Sequence, residues 1–491
     1  MAAHNPPPTS PVRLVIGVDL GTQGLRAIAV DPGGALLASA QSRVPFASPP
    51  LPQGWSEQDP RDWWHAACLC LQELTSSLPP GAVIDGLAVD STSGTILPVD
   101  AALQPLSPAI LYNDDRSQPY VAALRESGAS LENRLGYSFG SSFALPKILW
   151  FKSERPAIFA RTAWFLHAAD YLTCALTGDA PLTDFSNALK TGYDLLEERW
   201  PAFIEELGIP IDRLPPVVPS GVEIGRLSTA AAAATGLPIA TRIYSGATDG
   251  TAAQIASGAV HPGAWNSSLG TTLVLKGISR QLVLDPQRRV YSHRHPDGLW
   301  MPGGASNTGT QWILQDFPGA DLNDLDGQAA ALLPTALVRY PLARQGERFP
   351  FVNPLASGFI EGRPSTPLEA YAAGLEGLAL LERLSYETLS SIGLPVGERI
   401  YTTGGGSKSR LWTGLRASLL DRELATLQVE GTAMGAALLA ARGAWYGALS
   451  EAAAQMVRIK EVIPPNPAWQ PALEDKYQRF LSLLQEKGLL P

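Results

Sequence analysis

Ile243-Tyr-Ser-Gly-Ala-Thr-Asp-Gly-Thr-Ala-Ala-Gln-Ile-Ala256 is the stretch on which the chain turns. An apolar, β-leaning segment runs into Thr248-Asp249-Gly250, and an alanine-rich helical segment follows. The carboxylate of Asp249 is thereby set at a strand-to-helix corner, where a helix N-terminus favours its ionised form. A carboxylate held in this way can accept the proton of an attacking hydroxyl, which phosphoryl transfer needs. Aspartate is also a common helix N-cap. The reading therefore gains weight only from what lies on either side.

Upstream, Leu14-Val-Ile-Gly-Val-Asp19 reads as a buried strand, Leu20–Gly24 as a turn, and Leu25–Val30 as a second strand. Ala35–Ala40 follows as a third, giving an antiparallel meander. Its first turn carries Asp, Gly, Thr and Gly. It is either an ordinary hairpin or a loop that holds a phosphate through backbone N–H groups and a hydroxyl. Asp59 as N-cap and Pro60 at the first position start a helix through Trp63, Trp64, Ala67, Leu71 and Leu74, which reads as core. Glu57 and Gln58 either merely precede that helix or reach a cleft edge. Val83–Val89 is a strand ending in the hydroxyl-rich corner Asp90-Ser-Thr-Ser-Gly-Thr95, with a short strand at Ile96–Val99. Asn113-Asp-Asp-Arg116 lines a polar cleft or forms a solvated turn. Residues 117–200 read as largely helical, clearest at Pro146–Phe151 and Phe165–Leu176. Leu214–Pro219 reads as an extended linker, and Thr229–Thr235 as a helix.

Downstream the pattern restarts. Gly263–Leu275 again gives strand, Gly-Thr turn and strand, and Ser268-Leu-Gly-Thr271 echoes Asp19-Leu-Gly-Thr22. This suggests an internal repeat with a boundary near Ser257–His261. Ile400–Ser409 is a strand, a triple-glycine turn and a helix start, where glycines admit a flat ligand or a phosphate to the backbone. Gly431–Ala437 opens a small-residue helix suited to close packing. A terminal helix is expected at Leu473–Leu484. No G-x-x-x-x-G-K-[ST] pattern is present, which excludes a P-loop NTPase, and the glycines do not fit a dinucleotide fingerprint.

Composition bounds the classes. A chain of 491 residues implies two or more domains. It is 45% hydrophobic and 17% charged, as in a soluble globular protein. The 37 Lys and Arg against 46 Asp and Glu leave a net charge of −9 with no basic cluster, which argues against nucleic acid as a partner. No apolar run is long enough for a bilayer, so no membrane partner is expected. The three cysteines give no disulfide framework. They read as buried apolar residues, in keeping with a reducing, cytoplasmic compartment. The Pro-rich residues 1–12 read as a disordered lead-in, without the apolar core of a secretory signal.

The motifs in this order resemble the FGGY family of carbohydrate kinases, within the actin, hexokinase and heat-shock ATPase superfamily. The resemblance runs from about Val15 to Leu449. It rests on Asp19-Leu-Gly-Thr22, Gly54-Trp-Ser-Glu-Gln58, Asn113-Asp-Asp-Arg116, Leu176-Thr-Gly178, Thr183-Asp-Phe-Ser-Asn187, Gly246-Ala-Thr-Asp249, Ser268-Leu-Gly-Thr-Thr272 and Gly404-Gly-Gly-Ser407. It implies an α/β fold of two ribonuclease-H-like (actin/hexokinase-type ATPase) domains around a central cleft. The expected ranges are 13–257 for a sugar-binding domain, 258–449 for an ATP-binding domain, and 450–491 for a helical extension. By motif position the catalytic base falls on Asp249, and Asp19 with Asp249 would stand near Mg²⁺ through water. The first phosphate loop falls on Gly21, Thr22 and Gln23, and the second on Gly270, Thr271 and Thr272. The adenosine side falls on Gly404, Gly405, Gly406 and Ser407, with Gly309 and Gln311 as lesser candidates. ATP and Mg²⁺ are thus the implied cofactors, a sugar the acceptor, and a monomer or homodimer the assembly.

In that family the residues before the Gly-Thr of Ser93-Gly94-Thr95 contact the sugar. Glycerol kinases carry Arg-Glu there and bacterial xylulokinases Met-His, whereas this chain has Thr92-Ser93. The departure argues against glycerol and sets the chain apart from an ordinary xylulokinase. Asp90–Thr95 and Leu111–Arg116 look most like the cyanobacterial and plant members associated with D-ribulose, with Asp19, Thr92, Ser93, Tyr112 and Asn113 bordering the sugar. The implied reaction is transfer of the ATP γ-phosphate to the terminal hydroxyl of D-ribulose. The alternatives are D-xylulose as acceptor, or an ATP-binding or ATPase protein with little sugar phosphorylation.

Overall fold

The computed structural model describes residues 11–45 and 51–490. The expected lead-in over residues 1–12 lies, up to residue 10, outside the described residues. The chain forms two compact units, each discontinuous in sequence. One takes the residues up to Gly128, Phe139–Ala256 and Gly431–Met456, and the other Ala129–Ser138, Ser257–Glu430 and the residues from Val457.

In the first unit the main sheet among the described residues has six strands. They are β1 (Arg13–Gly21), β2 (Gly24–Val30), β3 (Leu36–Arg43), β4 (Val83–Ser91), β5 (Glu223–Arg226) and β6 (Arg242–Tyr244), in spatial order β5-β6-β4-β1-β2-β3. β1, β2 and β3 form the expected antiparallel meander. β4 runs parallel to β1 and β6 parallel to β4, with β5 antiparallel at the edge. β1 is covered on both faces, which explains the unbroken apolar run Leu14-Val-Ile with all three residues fully buried. The helix Pro60–Ser76 begins as read, with Arg61 N–H donating to Asp59 Oδ1 at 2.9 Å, and its Trp63, Ala67, Leu71 and Leu74 enter the core.

The small-residue helix Thr432–Ala441 packs as closely as its composition allows. A Cβ on Gly17 of β1 would lie 1.8 Å from Ala433 O, and one on Gly435 would lie 2.0 Å from Ala252 O. Glycine at both positions lets this helix sit directly on β1 and on the helix Asp249–Ala256.

The second unit repeats the plan. Its described sheet has β7 (Trp265–Leu269), β8 (Leu273–Gly277), β9 (Val290–Arg294), β10 (Trp300–Ser306), β11 (Arg399–Thr403), β12 (Glu423–Leu427) and β13 (Ile459–Ile463), in order β9-β10-β8-β7-β11-β12-β13. Again an antiparallel meander (β10, β8, β7) joins parallel strands (β7, β11, β12) and closes on an antiparallel edge. The echo between Ser268-Leu-Gly-Thr271 and Asp19-Leu-Gly-Thr22 therefore marks equivalent hairpins. Helix Pro367–Ser391 buries Leu375, Leu378 and Leu381 beneath this sheet. It also supplies Glu382 to a fully buried fork with Arg416, at 2.6 and 2.8 Å. Arg416 then donates to Thr402 Oγ1 at 2.8 Å, which steadies the end of β11 where the triple-glycine turn begins.

Two local readings need correction. Trp164–Leu166 is a strand paired with Leu97–Val99, so the helix expected from Phe165 starts at Ala168. The apolar run fits either state by periodicity, and the cross-strand partner decides it. Leu214–Pro219 is more than a linker, since Val217–Val218 pairs in parallel with Thr183–Asp184. The terminal helix spans Gln470–Glu486 and buries Leu473, Tyr477, Phe480 and Leu484. Cys70 and Cys174 are buried free thiols, each pushed up to about 12 by desolvation. Among the described residues no helix is long and apolar enough to cross a membrane.

Candidate active site

In the first unit the site grows from the C-terminal ends of the parallel strands. Asp19 of β1 stands in register with Asp90 of β4, and Ser91 bridges Thr248 in the next strand-like segment. Asp249 opens the helix Asp249–Ala256, and its Oδ1 accepts the Gly250 N–H at 2.6 Å. Asp90 is thus close enough to both Asp19 and Asp249 for its charge to interact with theirs. Asp90 is fully buried, and as a carboxylate it finds no donor among the described residues. Burial first, then Asp19 and Asp249, hold its carboxyl well above the usual range. In protonated form the Asp90 carboxyl could donate to Asp19, which stands opposite it in register.

Asp249 is held from behind. Asp184 caps the helix Phe185–Lys190 by accepting the Ser186 and Asn187 N–H groups, and also accepts the Ser186 hydroxyl at 2.5 Å. Ser186 Oγ in turn accepts the Thr248 N–H at 2.8 Å. The run Thr183-Asp-Phe-Ser-Asn187 therefore fixes the residue immediately before Asp249. Gly246 lets the same segment approach β4, because a Cβ there would lie 1.7 Å from Val89 O.

The hairpin Gly21-Thr-Gln-Gly24 lines a cavity of about 840 Å³ together with Asp19, Arg26 and Tyr112. Gln58 is buried and donates from Nε2 to Thr22 O at 2.8 Å, while its Oε1 accepts the Trp63 indole N–H at 3.0 Å. It neither merely precedes a helix nor lines a cleft, but props the hairpin from inside. Asn113-Asp-Asp-Arg116 divides in two. Tyr112 and Asn113 are exposed, and of the two only Tyr112 lines this cavity. Asp114 and Arg116 are buried, with Arg116 forked onto Asp114 at 2.7 and 2.8 Å, paired with Glu57 at 2.5 Å, and stacked 3.7 Å from the Trp55 ring centroid. This ties the Gly54–Gln58 motif to the Asn113–Arg116 motif as a structural strut.

Thr92 and Ser93 follow β4 directly. Thr92 N–H donates to Leu20 O at 3.3 Å, and the Thr92 and Thr95 hydroxyls lie 2.9 Å apart. Ser93 is the partly open side chain of the corner.

The second unit gathers the other candidates around the turn of β7 and β8. Thr310 N–H donates to Gly270 O at 2.8 Å, and Gly309 fits where a Cβ would lie 2.4 Å from Thr271 C and O. Gly270, Thr271 and Thr272 thus meet Gly309 and Thr310 through backbone atoms. Glu347 secures that segment from beneath, accepting Ser306 Oγ–H, Thr308 Oγ1–H, Tyr340 O–H and the N–H groups of Asn307 and Arg348 at 2.7–2.9 Å. On the adjacent strand, Gly404 has φ +88 and fits against Leu269 O, where a Cβ would come within 2.7 Å. Gly405 is exposed with open space above it, Gly406 is buried, and Ser407 Oγ donates to Gly404 O at 2.7 Å. Glu430 accepts the Gly404 N–H at 3.1 Å and pins the same turn. A larger cavity of about 890 Å³ lies elsewhere in this unit, beside Arg383 and Arg422, and contains none of the expected site residues.

The implied groups can be tested on these residues. Magnesium beside a nucleotide keeps several waters and uses one or two carboxylates with the phosphates. Asp19 and Asp249 fit that demand, and among the described residues no cluster of three or more His, Cys, Asp or Glu is disposed to hold a metal directly. The open backbone at Gly405 and the hydroxyls of Thr271 and Thr272 fit a nucleotide. Sequence reading gave Asp90, Ser186 and Arg26 no individual role, and for Gln58 it weighed only a helix flank or a cleft edge. Arg26 was accessible in principle, since a two-residue turn between Gly21 and Gly24 sets Asp19 opposite Arg26.

Comparison with known proteins agrees with this architecture. Residues 14–256 match the N-terminal domain model, and residues 265–444 the C-terminal domain model, of the FGGY family of carbohydrate kinases. The xylulose kinase of Bacillus subtilis is 30% identical over 469 residues, covering 93% of each chain. The structure of a xylulose kinase from Rhodospirillum rubrum superimposes with a TM-score of 0.86 at 30% identity, covering 96% of this chain and 99% of that one. A structure described as a xyloylose kinase from Brucella ovis gives 0.88 at 27% identity, over 97% and 100%. With both domain models matched in order along the chain, the chain belongs to the FGGY family of carbohydrate kinases.

Proposed function

We propose that this protein is an ATP-dependent kinase that phosphorylates the terminal hydroxyl of a ketopentose, with D-xylulose as its acceptor. The observation that carries the reading is the meeting of Asp19, Asp90 and Asp249 at the strand ends beside Thr92 and Ser93. The relatives described as xylulose kinases support D-xylulose over the D-ribulose expected from the motif reading. D-ribulose stays as the second reading on one specific feature, the small Thr92-Ser93 pair, which departs from the larger pairs of the other subgroups.

In this proposal Thr92, Ser93 and Tyr112 hold the sugar and present its terminal hydroxyl to Asp249. The hydroxyl oxygen bonds to the γ-phosphorus, the bond to the β–γ bridging oxygen breaks, and ADP leaves. Asp249 takes the hydroxyl proton, which its place at a helix start suits by favouring the anion beforehand. Burial and its acidic neighbours raise the Asp90 carboxyl, which eases the crowding of three carboxyl groups at the corner. Magnesium, when bound, supplies positive charge to the phosphoryl oxygens. The amides and hydroxyls of Gly21–Gln23 and Gly270–Thr272 would hold phosphates, and Gly404–Ser407 the adenosine, with Gly309 and Gln311 in support.

A coupled ADP-release assay with Mg-ATP tests this against D-xylulose, D-ribulose, L-ribulose, glycerol and no sugar. Turnover raised most by D-xylulose is expected. Turnover raised by D-ribulose alone would move the assignment to the second reading. Equal ADP release with and without every sugar would reduce the protein to an ATPase.

A further inference from the structure

The acceptor corner is clamped by two buried basic side chains that the mechanism does not use. Gly94 has φ +78, and a Cβ there would lie 2.1 Å from Ser142 O, so the turn is pressed against the start of the helix Ala144–Glu154. From that helix the fully buried Lys147 donates from Nζ to Gly94 O at 3.0 Å and to Phe143 O at 3.1 Å. The next carbonyl, Thr95 O, lies 3.0 Å from His167 Nδ1, and His167 Nε2 lies 2.9 Å from Thr191 Oγ1. A carbonyl can only accept, so His167 carries its proton on Nδ1 and Nε2 accepts from Thr191. Burial pulls His167 down to about 3, which keeps the ring neutral, and draws Lys147 down to about 7.

Two consecutive carbonyls of one tight turn are thereby held by donors from different helices. The Thr92 hydroxyl is also taken up by Thr95. Ser93 is left as the partly open side chain of the corner, beside carbonyls held by Lys147 and His167. A tight turn of small residues recognises a sugar only if its shape is imposed from outside, because small hydroxyl side chains reach little. We infer that Lys147 and His167 are positioning residues that fix the Gly94–Thr95 turn and so set which ketopentose Thr92 and Ser93 accept. The inference rests on the acceptor reading of Thr92 and Ser93.

The test compares Lys147→Met, His167→Ala and His167→Asn with wild type in the full-length protein. Asparagine retains a donor near Nδ1 and drops the Thr191 contact. KM for D-xylulose and D-ribulose, KM for ATP, and kcat are measured, with thermal unfolding as a check on folding. Leaving a buried carbonyl without its donor should raise acceptor KM about tenfold and shift the D-xylulose to D-ribulose preference, with ATP KM nearly unchanged. His167→Asn should recover most of the loss. If Lys147→Met does not fold, the two His167 variants carry the same comparison. Acceptor KM and preference equal to wild type, or equal rises in both KM values, overturn the inference. A wild-type enzyme silent on every sugar overturns the acceptor reading itself, and the inference with it.

Discussion

The substitution Gly246→Ala probes how tightly Asp249, the proposed base, is tied to the sheet. Gly246 lies three residues before Asp249, and its added Cβ would sit 1.7 Å from Val89 O and 2.6 Å from Val89 C. Both obstacles are backbone of β4, so no side-chain rotation relieves them. To bring that contact from 1.7 Å to the 3.0 Å that real Cβ atoms respect, the segment and β4 must part by about 1.3 Å. The Ser91 N–H to Ala247 O bond, already 3.3 Å long, would break. Overpacking against a rigid wall costs about 1–3 kcal/mol. Misplacing a reacting group by an ångström costs about a hundredfold in rate. We expect the variant to fold with a lowered unfolding midpoint and a kcat down by about two orders of magnitude in the coupled ADP-release assay. Gly140→Ala is the control, because nothing lies within 4 Å of its added Cβ. A Gly246→Ala enzyme with normal kcat would refute the argument, as would an equal loss in the control.

Other perturbations bear on the same account. Ser186→Ala removes the hydroxyl that accepts the Thr248 N–H, and should lower kcat about tenfold at unchanged ATP KM, with Ser186→Thr retaining activity. A parallel rise in ATP KM would deny it a role through Asp249. Glu347→Ala strands five donors near Gly309 at about 1–3 kcal/mol for each one left unmatched, and should lower Tm by ~10 °C or more and weaken protection by ADP. Unaltered protection would separate Glu347 from the nucleotide. Asp90 has a raised folded pKa, so its contribution to stability falls as pH climbs above its unfolded value of about 3.9. Asp90→Asn should therefore gain on wild type in denaturant titrations between pH 4.5 and 8, and a pH-independent gap would contradict this.

The parts of the fold set by neighbours in sequence were legible beforehand. Asp59-Pro60 starts its helix as read, Ser409 caps the helix Arg410–Leu420, and the Gly21–Gly24 hairpin and its echo at Gly270 fall where the turns were expected. Asp249 at a strand-to-helix corner needed only the apolar run before it and the alanines after it. What escaped depends on distant partners. Nothing local to Gln58 tells that it holds Thr22, and Ser186 meets Thr248 only across a separation of 62 positions. Asp114 and Arg116 look like a solvated turn until Trp55 and Glu57 cover them. Asp90 reads as one polar residue in a hydroxyl-rich corner, and only the parallel pairing of β1 and β4 sets it against Asp19. The return of Gly431–Met456 to the first unit is likewise silent in local pattern, and the tight contacts of Gly17 and Gly435 explain it only once the partner is known.

The central claim is that Asp249 takes the proton of a ketopentose hydroxyl during transfer of the ATP γ-phosphate. The most direct measurement is ³¹P NMR of D-xylulose, Mg-ATP and enzyme, with wild type and Asp249→Asn side by side. The account predicts a sugar phosphate ester on the terminal hydroxyl, formed in step with ADP by wild type, and none from a folded, ATP-binding mutant. Ester formed equally by the mutant, or ADP with inorganic phosphate and no ester from wild type, would contradict it.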